Sequence, residues 1–196
     1  MPTVRTFIAI ELDDELRENL GRLQSQLREQ MPPRSVRWVR PEGIHLTLKF
    51  LGDTPVEQVD EVKGALAAAA AGIGPFTVTA GGLGCFPDTR RPRVVWVGLQ
   101  EETGALARLR DAVEAHVAPL GFPTENRRFH PHLTLGRVQR YASRSEVGEI
   151  GRVVGASLSG IRDEMAVTAV HYIKSDLRPS GAVYTTLFEA PLAGPG

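Results

Sequence analysis

The segments IHLTLKF (residues 44–50) and PHLTLGR (131–137) carry one tetrad, His-Leu-Thr-Leu, at His45 and again at His132, in a chain of 196 residues with five histidines. Apolar and polar residues alternate through it, the pattern of a half-buried strand. Strand side chains point to opposite faces in turn, so His45 and Thr47 share one face and Leu46 and Leu48 the other. His132 and Thr134 are set against Leu133 and Leu135 in the same way. Each strand anchors two leucines in a core and presents an imidazole beside a hydroxyl. A chain with two such strands needs a fold with two equivalent places for them.

The surrounding sequence supplies those places. Residues 3–11 (TVRTFIAIE) are β-branched and alternating, a strand. A helix follows, with Asp13 or Asp14 as its N-cap and Leu16, Leu20, Leu23 and Leu27 at helical spacing, and MPPRS ends it. VRWV and IHLTLKFL are short strands separated by the turn RPEG. The segment from GDTP to the alanine run is a second helix, with Thr54 placed to cap and Pro55 at the first helical position. PFTVTAGGLGCF and RVVWVGL are strands around the loop PDTRRP, and a third helix ends at Pro119 and Gly121. After FHPHLTLGRV come a weaker helix and two strands, EMAVTAVHYIKSDL and AVYTTLFEAPL, joined by RPSG.

Helix-and-strand units thus recur in both halves, and each half holds one His-Leu-Thr-Leu strand after its helix. No Gly-, Ser- or charge-rich linker separates them. The expectation is α+β: two pseudo-symmetric lobes of mostly antiparallel sheet with outer helices and a groove between them. Turn-sized connections favour antiparallel pairing over a doubly wound parallel fold. Residues 1–196 are expected to form a single domain arising by internal duplication, with 192–196 as a loose tail.

Across a groove between related lobes, the two His-Thr pairs can face each other, and that arrangement suits phosphoryl transfer. One neutral His takes a proton from the attacking group, and the other, protonated, gives one to the leaving oxygen. An ordinary His pKa of ~6.5 makes both forms available near neutrality. The Thr hydroxyls can hold nonbridging phosphate oxygens. Composition limits the partners. Basic and acidic residues balance at 23 each, against a protein that wraps long nucleic acid, though not against recognition of one phosphate or one strand end. Cys85 is the sole cysteine, read as a buried structural thiol in a reducing cytoplasm. No apolar run is long enough to span a bilayer and no signal peptide is evident, so no membrane association is expected.

With both motifs in view, the chain resembles the 2H phosphoesterase superfamily, defined by two H-x-[ST] motifs on opposing lobes. It most resembles the LigT-like branch, the RNA 2′,3′-cyclic phosphodiesterases. FIAIEL, WVRPEGIHLTLKFLGD, RVVWVGL, FHPHLTLGR and GAVYTTL stand in the expected order, and the likeness covers almost the whole chain. It implies hydrolysis of a terminal 2′,3′-cyclic phosphate on RNA to a 2′-phosphate, with no metal and no cofactor. By position it makes His45 the proton donor to the leaving 3′ oxygen and His132 the proton acceptor that activates water, with Thr47 and Thr134 on the phosphate. Some members also join tRNA halves through a 2′-5′ linkage. RNA ends bearing a cyclic phosphate are the implied partners, and a cytoplasmic monomer is expected.

The resemblance adds a Phe and an Arg five residues after the respective histidines, here Phe50 for stacking on a base and Arg137 for phosphate. Strand parity objects, because five is odd and both side chains should point away from the histidines. A bulge or strand end near Gly52 and at Gly136 removes the conflict. His130, two residues before His132, shares its face and reads as lining the groove or solvated rather than starting a metal site. Lys49, on the His45 face by parity, can reach phosphate or sit at a strand edge. His116 reads as structural or exposed, and His171 can approach the groove. The loop holding Arg90, Arg91 and Arg93 either touches RNA or is a solvated turn. Neither a P-loop nor a dinucleotide fingerprint is present. The four motif residues serve equally a 2H phosphoesterase for another small cyclic phosphate or a 2′-5′ oligonucleotide. A non-catalytic RNA-binding module is the remaining alternative.

Overall fold

Nine strands and four α-helices among the described residues build two lobes; the computed structural model describes residues 2–157, 162–179 and 181–194. One lobe is a four-stranded sheet of β1 (Thr3–Glu11), β3 (His45–Pro55), β8 (Ala169–Arg178) and β9 (Gly181–Pro191), ordered β3-β1-β8-β9. The other is a five-stranded sheet of β2 (Val36–Trp38), β4 (Phe76–Phe86), β5 (Val94–Gln100), β6 (His132–Val138) and β7 (Arg162–Val167), ordered β2-β6-β5-β4-β7. Every strand pair is antiparallel. This is the expected α+β, two-lobed architecture.

The lobes are not the two halves of the sequence. The C-terminal β8 and β9 complete the sheet begun by β1 and β3, whereas β2 and β4 belong with β5, β6 and β7. Helices cross in the same sense. α2 (Val59–Ala71) and α3 (Ala105–Val117) pack with each other and on the first sheet, and α1 (Asp14–Gln30) and α4 (Arg144–Ala156) pack on the second. One hydrophobic cluster, from Ile8 and Leu46 to Val97 and Leu133, therefore runs through both lobes.

Local signals explain most boundaries. Asp13 caps α1 by accepting from Leu16 N at 2.8 Å, and the buried Leu16, Leu20, Leu23 and Leu27 form its core face. A capping box between Ser143 and Glu146 starts α4, which buries Ile150, Val153 and Val154. Two expectations are corrected. Thr54 and Pro55 do not open the second helix: β3 continues through Pro55 and α2 begins at Val59. The Thr54 hydroxyl is buried and bonded to the Thr6 hydroxyl of β1 at 2.7 Å, so it is taken by the sheet and cannot cap. The run EMAVTAVHYIKSDL is two strands, not one. It changes sheets at Thr168, whose carbonyl accepts from Leu192 N at 2.8 Å. A single residue suffices for the switch, and the buried face passes from Met165, Val167 and Ala169 to Val170 and Tyr172.

At the C-terminus Leu192 is buried and Gly194 N donates to the Ile73 carbonyl at 3.0 Å, so the segment expected as a tail is fastened as far as Gly194. Residues 195 and 196 lie outside the described residues. Cys85 is buried, and desolvation pushes its thiol up to about 11, the behaviour of a structural cysteine. Among the described residues no helix is long and apolar enough to cross a membrane.

Candidate active site

Each histidine opens its strand, and each is fixed in the same way. His45 Nδ1 lies 2.9 Å from the Gly43 carbonyl oxygen, and His132 Nδ1 lies 2.7 Å from the His130 carbonyl oxygen. A carbonyl oxygen can only accept, so each Nδ1 carries the hydrogen and each Nε2 is the nitrogen left for chemistry. The carbonyl two residues upstream is thus a tautomer-setting device used in both copies.

The parity conflict over Phe50 and Arg137 is settled by bulges, again in both copies. Opposite β1, Ala9 pairs with Thr47, Ile8 with Lys49 and Phe7 with Phe50, so Leu48 is the extra residue. Opposite β5, Trp96 pairs with Thr134, Val95 with Gly136 and Val94 with Arg137, so Leu135 is the extra residue. In each strand the bulged leucine stands three residues after the histidine. It reverses the alternation beyond it and returns position five to the histidine face. Phe50 is accordingly 69% exposed, with its ring 6.1 Å from Phe7, and Arg137 is exposed on the face of His132 and Thr134. At Leu135 the displaced carbonyl is satisfied by Val39 N at 2.8 Å and by the buried Gln24 side chain at 2.9 Å.

The same bulge corrects the reading of Lys49. It turns inward with Ile8, is 5% exposed, and its ammonium sits 2.9 Å from Glu114 Oε2 while also donating to the Pro123 carbonyl. Glu114 accepts from Glu125 N at 3.4 Å, and Arg110 donates to the Glu125 carbonyl at 2.9 Å. The cluster ties β3 to α3 and to the segment that leads to His130. It is a structural joint beneath the groove, not a phosphate contact.

Aromatic rings enclose both imidazoles. His45 stacks on Phe7, with centroids 4.6 Å apart and planes at 25°, and meets the edge of Tyr184 at 5.2 Å. Phe7, Ala9 and Ile173 form a small buried cluster separate from the main core, the floor of this half-site. His132 stands edge-on to Phe86 at 4.8 Å, and Trp96 lies 4.9 Å from His130. Trp96 crosses over Gly84 so closely that a Cβ there would fall 2.3 Å from the indole, which fixes glycine in GGLGCF. Phe7, Tyr184, Phe86 and Trp96 did not stand out in the sequence. For Phe7 the signal was available, because β1 parity sets it and Ala9 on the face opposite Ile8 and Ile10.

Burial dominates the electrostatics. It lowers the His45 pKa to about 4, overriding the opposing pull of the Gly43 carbonyl and of the Glu11 charge. His132 is also lowered, first by desolvation and then by the neighbouring His130 and Arg137 charges, against the His130 carbonyl. Both imidazoles are therefore neutral at neutral pH in the free protein. Arg137 acts on His132 and also on Tyr184, the ring that meets His45, so its guanidinium lies within electrostatic reach of both half-sites.

The remaining candidates divide clearly. His130 is exposed, donates nothing to a metal-type cluster, and contributes its carbonyl to His132 and its ring to the Phe86–Trp96 group. Among the described residues no three His, Cys, Asp or Glu side chains converge as metal ligands do. His171 pairs with Ala9 and shares the sheet face of Thr47 and His45, 3.7 Å from Glu189 Oε2. His116 is exposed and bonded to the Ala112 carbonyl at 2.8 Å. Arg90, Arg91 and Arg93 are exposed in a loop shaped by Asp88, which accepts from Arg90 N at 2.8 Å and Arg91 N at 3.0 Å.

Comparison with known proteins gives a concordant result. The sequence profile of the family described as LigT like Phosphoesterase matches twice, over residues 10–96 and 97–184. A protein of Methanothermobacter thermautotrophicus named RNA 2′,3′-cyclic phosphodiesterase is 33% identical, covering 94% of this chain and 96% of that one. One of the same name from Aquifex aeolicus is 32% identical over 99% of this chain and 100% of its own. Among solved structures, a Thermus thermophilus protein superposes with a TM-score of 0.79 at 31% identity, covering 97% of this chain and 98% of that one. Escherichia coli LigT complexed with 3′-AMP gives 0.77 at 28% identity, with the same coverage. Profile, full-length relatives and fold agree, and the chain belongs to the LigT-like phosphoesterase family.

Proposed function

We propose that this protein hydrolyses the 2′,3′-cyclic phosphate at an RNA end to a 2′-phosphate, with His132 as base and His45 as acid. The observation that carries the assignment is the matched fixing of both rings through Nδ1, which leaves two Nε2 atoms for proton transfer. A water oxygen attacks phosphorus as His132 Nε2 takes its proton. The P–O3′ bond breaks, and the 3′ oxygen receives the proton from His45 Nε2. Thr47, Thr134 and Arg137 hold the nonbridging oxygens, Phe50 stacks on the terminal base and His130 lines the groove. A 5′-hydroxyl replacing the water would join two RNA ends, such as tRNA halves, through a 2′-5′ bond. The duplicated tautomer device and bulge support one domain of two related lobes.

The enzyme is incubated in EDTA with an oligoribonucleotide ending in a 2′,3′-cyclic phosphate. A 2′-phosphate product is expected; a 3′-phosphate, or activity abolished by EDTA, counts against the proposal. Two further outcomes follow. The acid needs a proton that His45 lacks at neutral pH, and a bound anion supplies the attraction that raises its pKa. Sulfate keeps its charge across this range, so its affinity should rise as pH falls from neutrality toward about 4, the lowered pKa of His45. Calorimetry should find the rise reduced in His45→Asn and flattened in His45→Asn/His132→Asn; an equal slope in all three refutes the coupling. Phe50→Ala should raise KM by the equivalent of ~1–3 kcal/mol of stacking. Because Phe50 is 69% exposed, stability should change by only ~0.5 kcal/mol or less. A large fall in melting temperature would instead identify Phe50 as a core residue.

A further inference from the structure

In the short ladder between β2 and β6, Arg37 pairs directly with Arg137. Opposed residues of an antiparallel pair point to one face with Cβ atoms ~4.5–5.5 Å apart, and like charges there repel. The flanking side chains settle which face this is. Val36 and Trp38 lie on the other side, where a Cβ at Gly136 would meet Val36 Cγ1 at 2.6 Å and Trp38 Cε3 at 3.2 Å. Arg37 therefore projects on the same face as Arg137, His132 and Thr134. Both arginines are exposed, and among the described residues neither guanidinium makes a hydrogen bond or ion pair. Both charges also act on Tyr184, the ring that meets His45, so the pair lies within electrostatic reach of the opposite half-site. Two guanidiniums held side by side with no acidic partner favour an anionic ligand that spans both.

We propose that Arg37 is a specificity-determining residue that binds the phosphodiester next to the terminal cyclic phosphate. This rests on the function proposed above. Arg137 holds the reacting phosphate, and Arg37, one strand further out on β2, meets the preceding phosphate of the same RNA strand, on the 5′ side of the terminal nucleotide. The preferred substrate is then an oligonucleotide end rather than a free nucleoside cyclic phosphate, which has no second phosphate to offer.

The test compares the wild-type enzyme and Arg37→Gln on three substrates: a nucleoside 2′,3′-cyclic phosphate, a dinucleotide ending in that group, and the same dinucleotide with a neutral methylphosphonate linkage. Wild-type kcat/KM should be highest on the charged dinucleotide. Arg37→Gln should lose ~10-fold there, mainly in KM, and less than ~2-fold on the other two, the size expected for a charged hydrogen bond. On the charged dinucleotide the slope of log kcat/KM against log salt should also become shallower by ~0.7, the value for one lost single-strand phosphate contact. Equal losses on all three substrates, or no loss on the charged one, overturn the role of Arg37 while leaving the cyclic phosphodiesterase intact. Wild-type protein inert on all three overturns the proposed function itself, and the role of Arg37 with it.

Discussion

Replacing His132 with alanine should lower kcat for opening an RNA 2′,3′-cyclic phosphate by ~10²–10⁴-fold, and replacing His45 should do the same. Both side chains are held at Nδ1 by backbone carbonyls, so neither ring can turn to exchange its nitrogens without losing a hydrogen bond. The two act in one step, and the double variant should be little slower than the worse single one. Their roles can be separated with a substrate that carries sulfur in place of the 3′ oxygen. A thiolate leaves without being protonated, so most of the His45→Ala defect should vanish while the His132→Ala defect remains. The opposite pattern would exchange acid and base. Near-normal turnover by either alanine variant on the natural substrate would falsify the paired-histidine mechanism.

The second large effect is on stability. Glu114→Leu should cost ~3–5 kcal/mol, because it leaves the Lys49 ammonium buried, with the Pro123 carbonyl as its remaining partner. Lys49 and Glu114 side chains are only 5% and 10% exposed, so water cannot take the place of the lost carboxylate. That is a large share of the ~5–15 kcal/mol by which such domains are stable. Lys49→Met combined with Glu114→Leu removes both charges together and should recover most of the loss, as urea unfolding would report. A small effect of Glu114→Leu alone would mean that the Pro123 carbonyl suffices for the Lys49 ammonium and that the ion pair contributes little. The joint also holds the segment before His130, whose carbonyl orients His132. A destabilised variant should therefore lose turnover before it loses fold.

Much of this molecule is legible in its sequence, and the legible parts are those set by local rules. Asp13 caps a helix because its side chain reaches the N–H of Leu16, three residues on. The leucines of His-Leu-Thr-Leu lie in the core because side chains alternate along a strand. What failed did so where a distant partner intervened. Thr54 has the right neighbours for a cap, but Thr6 of β1 occupies its hydroxyl. Lys49 has the parity of a groove residue, but the extra Leu48 turns it toward Glu114, 65 residues away. The C-terminal run has neither Gly nor Pro at Thr168, so no turn residue marks the passage from one sheet to the other.

The sequence by itself determined the α+β class, the two His-Thr pairs and the leucines that back them, because alternation and capping act within a few residues. Only the tertiary structure decided that Phe50 and Arg137 share the histidine face, since bulges arise from register against β1 and β5. It alone placed Arg37 beside Arg137 and set Phe7 under His45, and it lowered the His45 pKa to about 4. Register, burial and desolvation depend on which segments meet across the fold, and a linear pattern does not hold that information.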